Sequence, residues 1–526
     1  MSAMRKVLRS AGVIGVSTLL SRFLGLARDM VMANLFGTSF VAEAFYVAFM
    51  IPALLRRLVG EGSLTVAFIP VFTKFKKRYG EEAAARFFRS FWTLMSLVLL
   101  AMVAMGVIFS REIVGLFANP AFQQDREMFN LAVLMTQQMF PYLFFIGLTA
   151  LAMGVLNSYR HFFSASFHPV LLNVSWITCV LLLHNKFEQP GLSIVIGVVI
   201  GGVLQLALQW PYLRKVGMSF VPRFEFRHPA IRKIGKLMLP SGMAVGVIQI
   251  NTLIATYFVT AFDGARTQLF YANRLTEFPY AIFSLAIANA VLPLLSEQAG
   301  AKDYRALRQT LGQGLRMVAF IIIPASIGLA LVSTPIVHIF FEHGEFSSVD
   351  TSQTASMLIM FCLSLWAVAG LRIVVQVFYA VEDMVTPLWA AAIGMTVNAY
   401  ACYYLSQRMG REGVALGISL ATIANFLVLW LRLPSRAGKL RKMGLPRTII
   451  TSLVSSLPMA ALVIWINRLD TWQEPGHTAL KVLLLGAMVA GGGILFLVTA
   501  KLLKSAELNE LTGAFSRRLG TEEDSE

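Results

Sequence analysis

Residues 44–71 read AFYVAFMIPALLRRLVGEGSLTVAFIPV. The stretch is long enough to cross a bilayer, which takes about 20 mostly apolar residues, yet Arg56 and Arg57 lie near its middle. A charge at the bilayer centre costs about 2.5–3.5 kcal/mol on insertion scales, so a chain keeps one where it faces a polar cavity. Arginine rather than lysine favours planar, bidentate recognition of phosphate or carboxylate. The stretch therefore predicts a membrane helix that lines a basic cavity for an anionic ligand.

Similar apolar runs recur along almost all of the 526 residues, which are 57% hydrophobic and only 14% charged. We predict an all-α polytopic membrane protein, since β-barrel strands would be short and alternating. Fourteen transmembrane helices are expected, at 11–36, 44–71, 87–109, 132–156, 165–184, 192–213, 237–262, 268–296, 315–341, 353–379, 386–406, 412–433, 448–467 and 480–503.

The net charge of +17 is distributed by the positive-inside rule. Basic residues concentrate in alternate connections, chiefly 74–89, 214–236 and 432–447, while the intervening loops are richer in acid, as at Glu342 and Glu345. This pattern places both termini in the cytoplasm. It explains the basic balance without nucleic acid, and it favours contact with anionic lipids of the inner leaflet.

Arginines and carboxylates inside the predicted spans are the candidate substrate-binding residues of a central cavity. They are Arg22, Arg28, Asp29, Arg56, Arg57, Glu61, Arg274 and Glu277, with Arg372 as an accessory candidate. The spacing predicts ion pairs Arg57–Glu61 and Arg274–Glu277. These residues could therefore form internal salt bridges or contact the substrate, and the sequence leaves both interpretations open. Arg372 either lines the cavity or extends to the interface. Removing such a charge relieves insertion cost, so alanine variants are expected to insert and accumulate.

A faint internal repeat divides the chain. The segment AFYVA at 44–48 is echoed by LFYAN at 269–273, although chance similarity among apolar helices is the other reading. We predict an N-lobe of helices 1–6 at 1–213, a basic cytoplasmic linker at 214–236 and a C-lobe of helices 7–12 at 237–433. A basic loop at 434–447, two extra helices at 448–503 and a cytoplasmic tail at 504–526 complete the chain.

Catalytic and metal-binding patterns are weak. The sequence contains no phosphate-binding glycine loop or nucleophile elbow, so we expect no enzyme activity, no cofactor and no metal site. His343 and Glu345 form the one His–acid cluster, without metal-ligand spacing. The three cysteines lie in apolar spans and are expected to be small buried hydrophobes. Energy for transport would come from a gradient, the membrane potential or the substrate.

Several ordered motifs resemble one known family, the MurJ/MviN lipid II flippases of the multidrug/oligosaccharidyl-lipid/polysaccharide exporter superfamily. They are SRFLGLARD at 21–29, PALLRRLVGEG at 52–62, AFIPV at 67–71, YANRLTEFP at 271–279, and FYA at 378–380 with Asp383 and Pro387. The resemblance covers the chain nearly end to end. It implies two six-helix lobes around a central cationic cavity, with helices 13 and 14 forming a groove for a polyprenyl tail.

The same resemblance implies the function and the residues that carry it. The chain would move undecaprenyl-diphosphate-linked peptidoglycan precursor from the inner to the outer leaflet of the bacterial inner membrane by alternating access. The family's cavity arginines fall on Arg22, Arg28, Arg56 and Arg274, with Asp29 and Glu277 as associated acids. Its early acidic residue of helix 2 is Glu43 here, and Asn251 stands where some members bind sodium through Asp, which leaves the coupling ion open. Membrane lipids and cell-wall synthesis proteins are the expected partners.

Other functions stay open on the sequence. The nearest is export of a drug or of another lipid-linked oligosaccharide within the same superfamily, although a cation-drug pump would use acidic cavity residues. A membrane-embedded glycosyltransferase or acyltransferase would have to use His343 and Glu345. A scaffold that recruits wall-synthesis enzymes would make the arginines inside the spans dispensable.

The predicted topology is tested by cysteine labelling in a variant that lacks the native cysteines. In intact cells, single cysteines in 74–89, 214–236 and 436–447 should resist an impermeant thiol reagent, because positive segments stay inside. Cysteines in 342–350 and 470–476 should be labelled. Labelling of the basic segments from outside would reverse the orientation.

Overall fold

The computed structural model describes residues 3–57, 64–189, 191–226, 228–434, 443–469, 472 and 476–512. These residues are helical nearly throughout and contain no strand. Two compact units divide the chain, Met1–Thr267 and Gln268–Glu526. The lobe boundaries predicted from the sequence and the central cavity remain predictions.

Helix bounds in the first unit follow chain order. They are α1 (Ala3–Phe36), α2 (Phe40–Arg56), α3 (Thr65–Ile108), α4 (Ser110–Phe117), α5 (Pro120–Gln124), α6 (Arg126–Ser158), α7 (Phe163–Leu183), α8 (Leu192–Lys215) and α9 (Pro229–Val259). Helix α10 (Ala265–Gly300) begins in the first unit and continues into the second.

The second unit continues with eight further helices. They are α11 (Tyr304–Leu331), α12 (Ser333–Phe341), α13 (Ser348–Cys362), α14 (Leu365–Ala380), α15 (Val385–Met409), α16 (Arg411–Arg432), α17 (Leu445–Asn467) and α18 (Thr478–Leu502). Residues 506–512 form one more short helical segment.

Each predicted membrane span coincides with one helix or with consecutive helices, apart from residues 58–63 of the second span, which lie outside the described residues. Eight helices of the described chain are long and apolar enough to cross a membrane, and α13 with α14, bent by 41°, makes a ninth span. The other five predictions fall on α1, α2 with the start of α3, α9, α10 and α15. Three of these five carry the interior arginines, which lower their hydropathy. The prediction of an all-α polytopic membrane protein is confirmed.

Several helices and predicted spans are broken rather than straight. Gly80 interrupts α3 with φ +83°, a conformation that only glycine adopts without strain, and it separates the second predicted span from the third. The ninth predicted span consists of α11 and α12, and the tenth of α13 and α14. Prolines inside α10 and α11 add further points where a helix hydrogen bond is missing.

The first unit is built around α6, which packs on α2, α3 and α8. Helix α6 is apolar all round and largely buried, as expected of a helix enclosed by others. Helix α1 packs on α7, and α9 packs on α3. Aromatic rings pack alongside these contacts: Trp176 of α7 meets Phe45 and Phe49 of α2 edge to face, and Phe68 stacks on Phe72 within α3.

The second unit depends on small residues at close helix contacts. Helices α15 and α16 approach so closely that a Cβ on Gly417 would lie 2.9 Å from the Cys402 backbone nitrogen. Helix α11 packs on α14 and α17, and α17 packs on α18. Helix α18 leaves large apolar side chains exposed, among them Leu483 and Leu502, as expected of a helix that faces lipid.

The Gly417 contact gives a stability prediction. Gly417→Ala should destabilise the protein by about 1–3 kcal/mol, because the added methyl group meets Cys402 backbone atoms that cannot move aside easily. Thermal unfolding of the purified protein measures the change. Gly493→Ala on α18 is the matched control, since its methyl group would enter open space. Equal melting temperatures for the two variants would contradict the close-packing argument.

Candidate functional site

An ion pair inside α1 is the most buried charged contact among the candidate residues. The Asp29 carboxylate is fully buried, and its Oδ1 accepts hydrogen bonds from Arg28 Nε at 3.0 Å and Nη2 at 2.6 Å. Neighbouring residues on a helix do not normally face each other, so the sequence spacing did not predict this pair. The two-pronged geometry is the kind that arginine forms and lysine cannot.

The Arg28 guanidinium also holds α7. Its Nη1 donates to Asn173 Oδ1 at 3.2 Å, and the Asn173 amide donates to the Ser21 carbonyl at 3.1 Å. The guanidinium carbon lies 4.3 Å from the centre of the Trp176 ring, a cation–π contact. Arg28 therefore joins α1 to α7. Sequence reasoning missed both partners, although Asn173 is a polar residue in an otherwise apolar run.

The remaining arginines of the first unit lie nearer to solvent-accessible surface. Arg22 and Arg56 are half-buried, and Arg57, which caps the end of α2, is exposed. Glu61 lies outside the described residues, so the predicted Arg57–Glu61 pair does too.

Glu43, an accessory candidate, binds backbone groups rather than a basic side chain. Its buried carboxylate accepts hydrogen bonds from the backbone N–H groups of Arg266 at 3.0 Å and Thr267 at 3.1 Å, and from the Thr267 hydroxyl at 3.1 Å. These N–H groups open α10, where the helix dipole favours an anion. Glu43 thus fixes the first turn of α10 to α2. Asn251, the other accessory candidate of this unit, is half-buried in α9.

In the second unit, the predicted Arg274–Glu277 pair is present on α10. Arg274 Nη1 lies 3.0 Å from Glu277 Oε2, and the two side chains are 24% and 33% exposed. The pair therefore reaches accessible space, unlike Arg28–Asp29. Arg372 of α14 is exposed, and its guanidinium lies 5.2 Å from the centre of the Tyr280 ring of α10.

The His–acid pair considered for an enzyme is replaced by another. His343 and Glu345 are exposed, and His343 Nε2 lies 3.0 Å from the Ile339 carbonyl. The structure instead brings His338 Nδ1 within 2.8 Å of Glu342, and His338 Nε2 within 3.1 Å of the buried Lys481 ammonium. This chain of contacts ties α12 to the start of α18.

Comparison with solved structures identifies the class of the fold. An inward-facing multidrug resistance MATE family transporter of the MOP superfamily superposes with a TM-score of 0.67 at 17% identity, covering 80% of this chain and 96% of the transporter. A structure described as lipid II flippase MurJ in an inward closed conformation superposes with a TM-score of 0.76 at 26% identity, covering 93% and 98%. The fold is that of the MOP superfamily of membrane transporters.

Sequence comparison narrows the class to one family. A family model described as lipid II flippase MurJ matches residues 32–483. The lipid II flippase MurJ of Burkholderia cenocepacia is 34% identical over 456 residues, covering 85% of this chain and 88% of the relative. The probable lipid II flippase MurJ of Vibrio cholerae is 31% identical over 523 residues, covering 97% and 98%. The chain belongs to the lipid II flippase MurJ family.

The buried ion pair makes a stability prediction that reverses the expectation from insertion cost. Arg28→Ala should destabilise the protein by about 3–5 kcal/mol, because the Asp29 carboxylate stays buried after its guanidinium is removed. The double variant Arg28→Ala/Asp29→Asn should regain part of that loss, since it removes the buried charge. Thermal unfolding in detergent compares the variants. Arg372→Ala, at an exposed arginine, is the control and should change little.

An Arg28→Ala melting temperature equal to that of the unaltered protein would contradict the structural role of the pair. A double variant less stable than the single variant would contradict the assignment of the loss to the buried Asp29 charge.

Proposed function

We propose that the chain is a lipid II flippase. It carries undecaprenyl-diphosphate-linked disaccharide-pentapeptide from the inner to the outer leaflet of the bacterial inner membrane by alternating access. Family membership over residues 32–483 is the observation that carries this proposal. The likeness to a multidrug transporter at 17% identity concerns the fold, and the interior arginines fit an anionic substrate better than a cationic drug.

The chemistry of the substrate explains the choice of arginine. A diphosphate offers several oxygens to planar N–H donors, and an apolar tail lets it enter a lipid-facing protein. In this proposal Arg22, Arg28 and Arg56 of the first unit and Arg274 of the second contact the diphosphate. Asp29 and Glu277 orient Arg28 and Arg274, as supported by their ion pairs at 2.6 Å and 3.0 Å.

Arg28 is already oriented for such a contact. A guanidinium carries five N–H donors, and three of those on Arg28 are bonded to Asp29 and Asn173. The other two can serve a diphosphate oxygen without breaking the ion pair. Because its position is fixed before the substrate arrives, little conformational entropy is lost on binding.

The proposal includes an orientation and a division of labour. Both termini lie in the cytoplasm, the lobes comprise 1–213 and 237–433, and helices at 448–503 accommodate the polyprenyl tail. Glu43 holds the start of α2 to the start of α10 on the outer side of the membrane, which is supported by its three hydrogen bonds to Arg266 and Thr267. Cell-wall synthesis proteins are proposed as partners.

The decisive experiment replaces the chromosomal copy and measures lipid II in each leaflet. Arg28→Lys and Arg274→Lys should lower outward movement by roughly tenfold or more, because a point charge cannot replace a two-pronged contact. Precursor should accumulate in the inner leaflet while the variant proteins accumulate normally. Arg408→Lys, at an exposed arginine stacked on Tyr404, is the matched control and should retain flipping.

Normal flipping by both lysine variants would reject the diphosphate-binding role. Normal leaflet distribution after depletion of the protein would reject the flippase function itself, and dispensable arginines with a growth defect on depletion would favour a scaffold.

A further inference from the structure

A basic cavity lies at the beginning of α11, away from the arginines discussed above. It has a volume of about 1420 Å³ and is formed within the second unit by the end of α10, the first turns of α11 and Met443. Among the ten described residues that line it, three are arginines, namely Arg305, Arg308 and Arg316, and none is acidic. In the proposed orientation this cavity opens at the cytoplasmic surface, where basic pockets between membrane helices bind lipid headgroups.

The three arginines are not equivalent. Arg316 donates to the Met443 carbonyl at 2.8 Å, and it lies 3.4 Å from Glu507 and 3.8 Å from Glu510 of the segment after α18. Its charge is therefore shared with two carboxylates. Arg305 is exposed and Arg308 is half-buried, and both add positive charge to the lining of the cavity.

An apolar groove of about 680 Å³ continues along the same helix. Helices α11, α13, α14, α16 and α17 line it, and its lining includes no residue of α18. It shares α17 with the groove that the family resemblance assigns to helices 13 and 14, and it differs from that groove because α18 does not line it. Two tryptophans lie in its wall, Trp366 of α14 and Trp430 of α16.

The two cavities share one face of α11. Residues on this face are spaced alternately by four and three, which keeps them on one side of a helix. The first four of these residues along the chain line the basic cavity, namely Arg305, Gln309, Gly312 and Arg316. The next four line the groove, namely Ala319, Ile323, Ser326 and Ala330. The opposite wall passes from one cavity to the other in the same order. Met443 lines the basic cavity, and Leu445, Ile449 and Leu453 line the groove.

The length of the groove fits a lipid of one leaflet. From Leu315 to Ala330 the helix rises by roughly 22 Å at 1.5 Å per residue, somewhat more than the ~15 Å half-thickness of a bilayer core. A polar, positively charged end followed by an apolar channel of this length matches an anionic headgroup with its acyl chain. We propose that this face of the second unit binds an anionic glycerophospholipid of the inner leaflet, with the phosphate near Arg305 and Arg308 and one acyl chain in the α11–α17 groove.

Fluorescence quenching of the two groove tryptophans tests this site in the full-length protein. Purified protein in mixed micelles is titrated with phosphatidylglycerol carrying brominated acyl chains, and separately with brominated phosphatidylethanolamine. Phosphatidylglycerol should quench at roughly tenfold lower mole fraction, because two arginines attract its charge. The excess quenching should be missing from Trp366→Phe/Trp430→Phe.

Matched variants separate the charge of this cavity from positive charge elsewhere on the protein. Arg305→Gln/Arg308→Gln should abolish the preference for phosphatidylglycerol, while Lys77→Gln/Arg78→Gln, at two exposed basic residues of α3, should retain it. Ala319→Phe narrows the groove and leaves every arginine in place, so it should reduce quenching by both lipids. This variant keeps the test decisive where the double arginine variant fails to fold.

Equal quenching by the two lipids, or an unchanged preference in Arg305→Gln/Arg308→Gln, would overturn the proposal. Displacement of the brominated lipid by millimolar inorganic phosphate alone would assign the basic cavity to a free anion instead. Stronger displacement by undecaprenyl phosphate than by phosphatidylglycerol would assign the groove to a polyprenyl lipid. The readout is binding, so it is independent of whether the protein flips lipid II.

Discussion

The packing of α1, α2 and α7 in the first unit depends on the buried positive charge of Arg28, which needs polar partners inside an apolar helix bundle. Arg28 satisfies three donors with Asp29 and Asn173 and covers one face of its guanidinium with Trp176. The tryptophan in turn contacts Phe45 of α2, so the buried charge sets the packing of α1, α2 and α7 together. Arg274 differs from Arg28, because it pairs with a carboxylate on its own helix and its side chain is 24% exposed.

The contrast between these arginines shows how far the sequence predicts the site. The Arg274–Glu277 pair follows from i,i+3 spacing on one helix, a local relation that a sequence displays directly. Asn173 is 145 residues from Arg28, so its contact depends on how α1 packs against α7. Glu43 could not be assigned partners at all, since it binds backbone N–H groups that carry no mark in the sequence.

The fold was more predictable than the site, because its signals are local in the sequence, whereas most contacts of the site depend on how helices pack. Long apolar runs and the distribution of basic residues indicate membrane spans directly, and the described residues of the predicted spans lie mostly on helices. The division of the tenth span into two helices was missed, because the bend at Ser364 depends on contacts such as its hydrogen bond to Ser419. The break at Gly80 has a local cause, a glycine with positive φ.

The length of α18 affects how the protein fits into a bilayer. Its 25 residues rise by roughly 37 Å, more than the ~30 Å hydrocarbon core, and its outward side chains are apolar. Such hydrophobic mismatch is relieved by tilting, at a cost of fractions of a kcal/mol per ångström. Helix α18 packs on α17, and it also contacts α11 through Phe320 and Phe496 and α12 through Lys481 and His338. Tilting of α18 is therefore one way in which the protein can fit a membrane of different thickness.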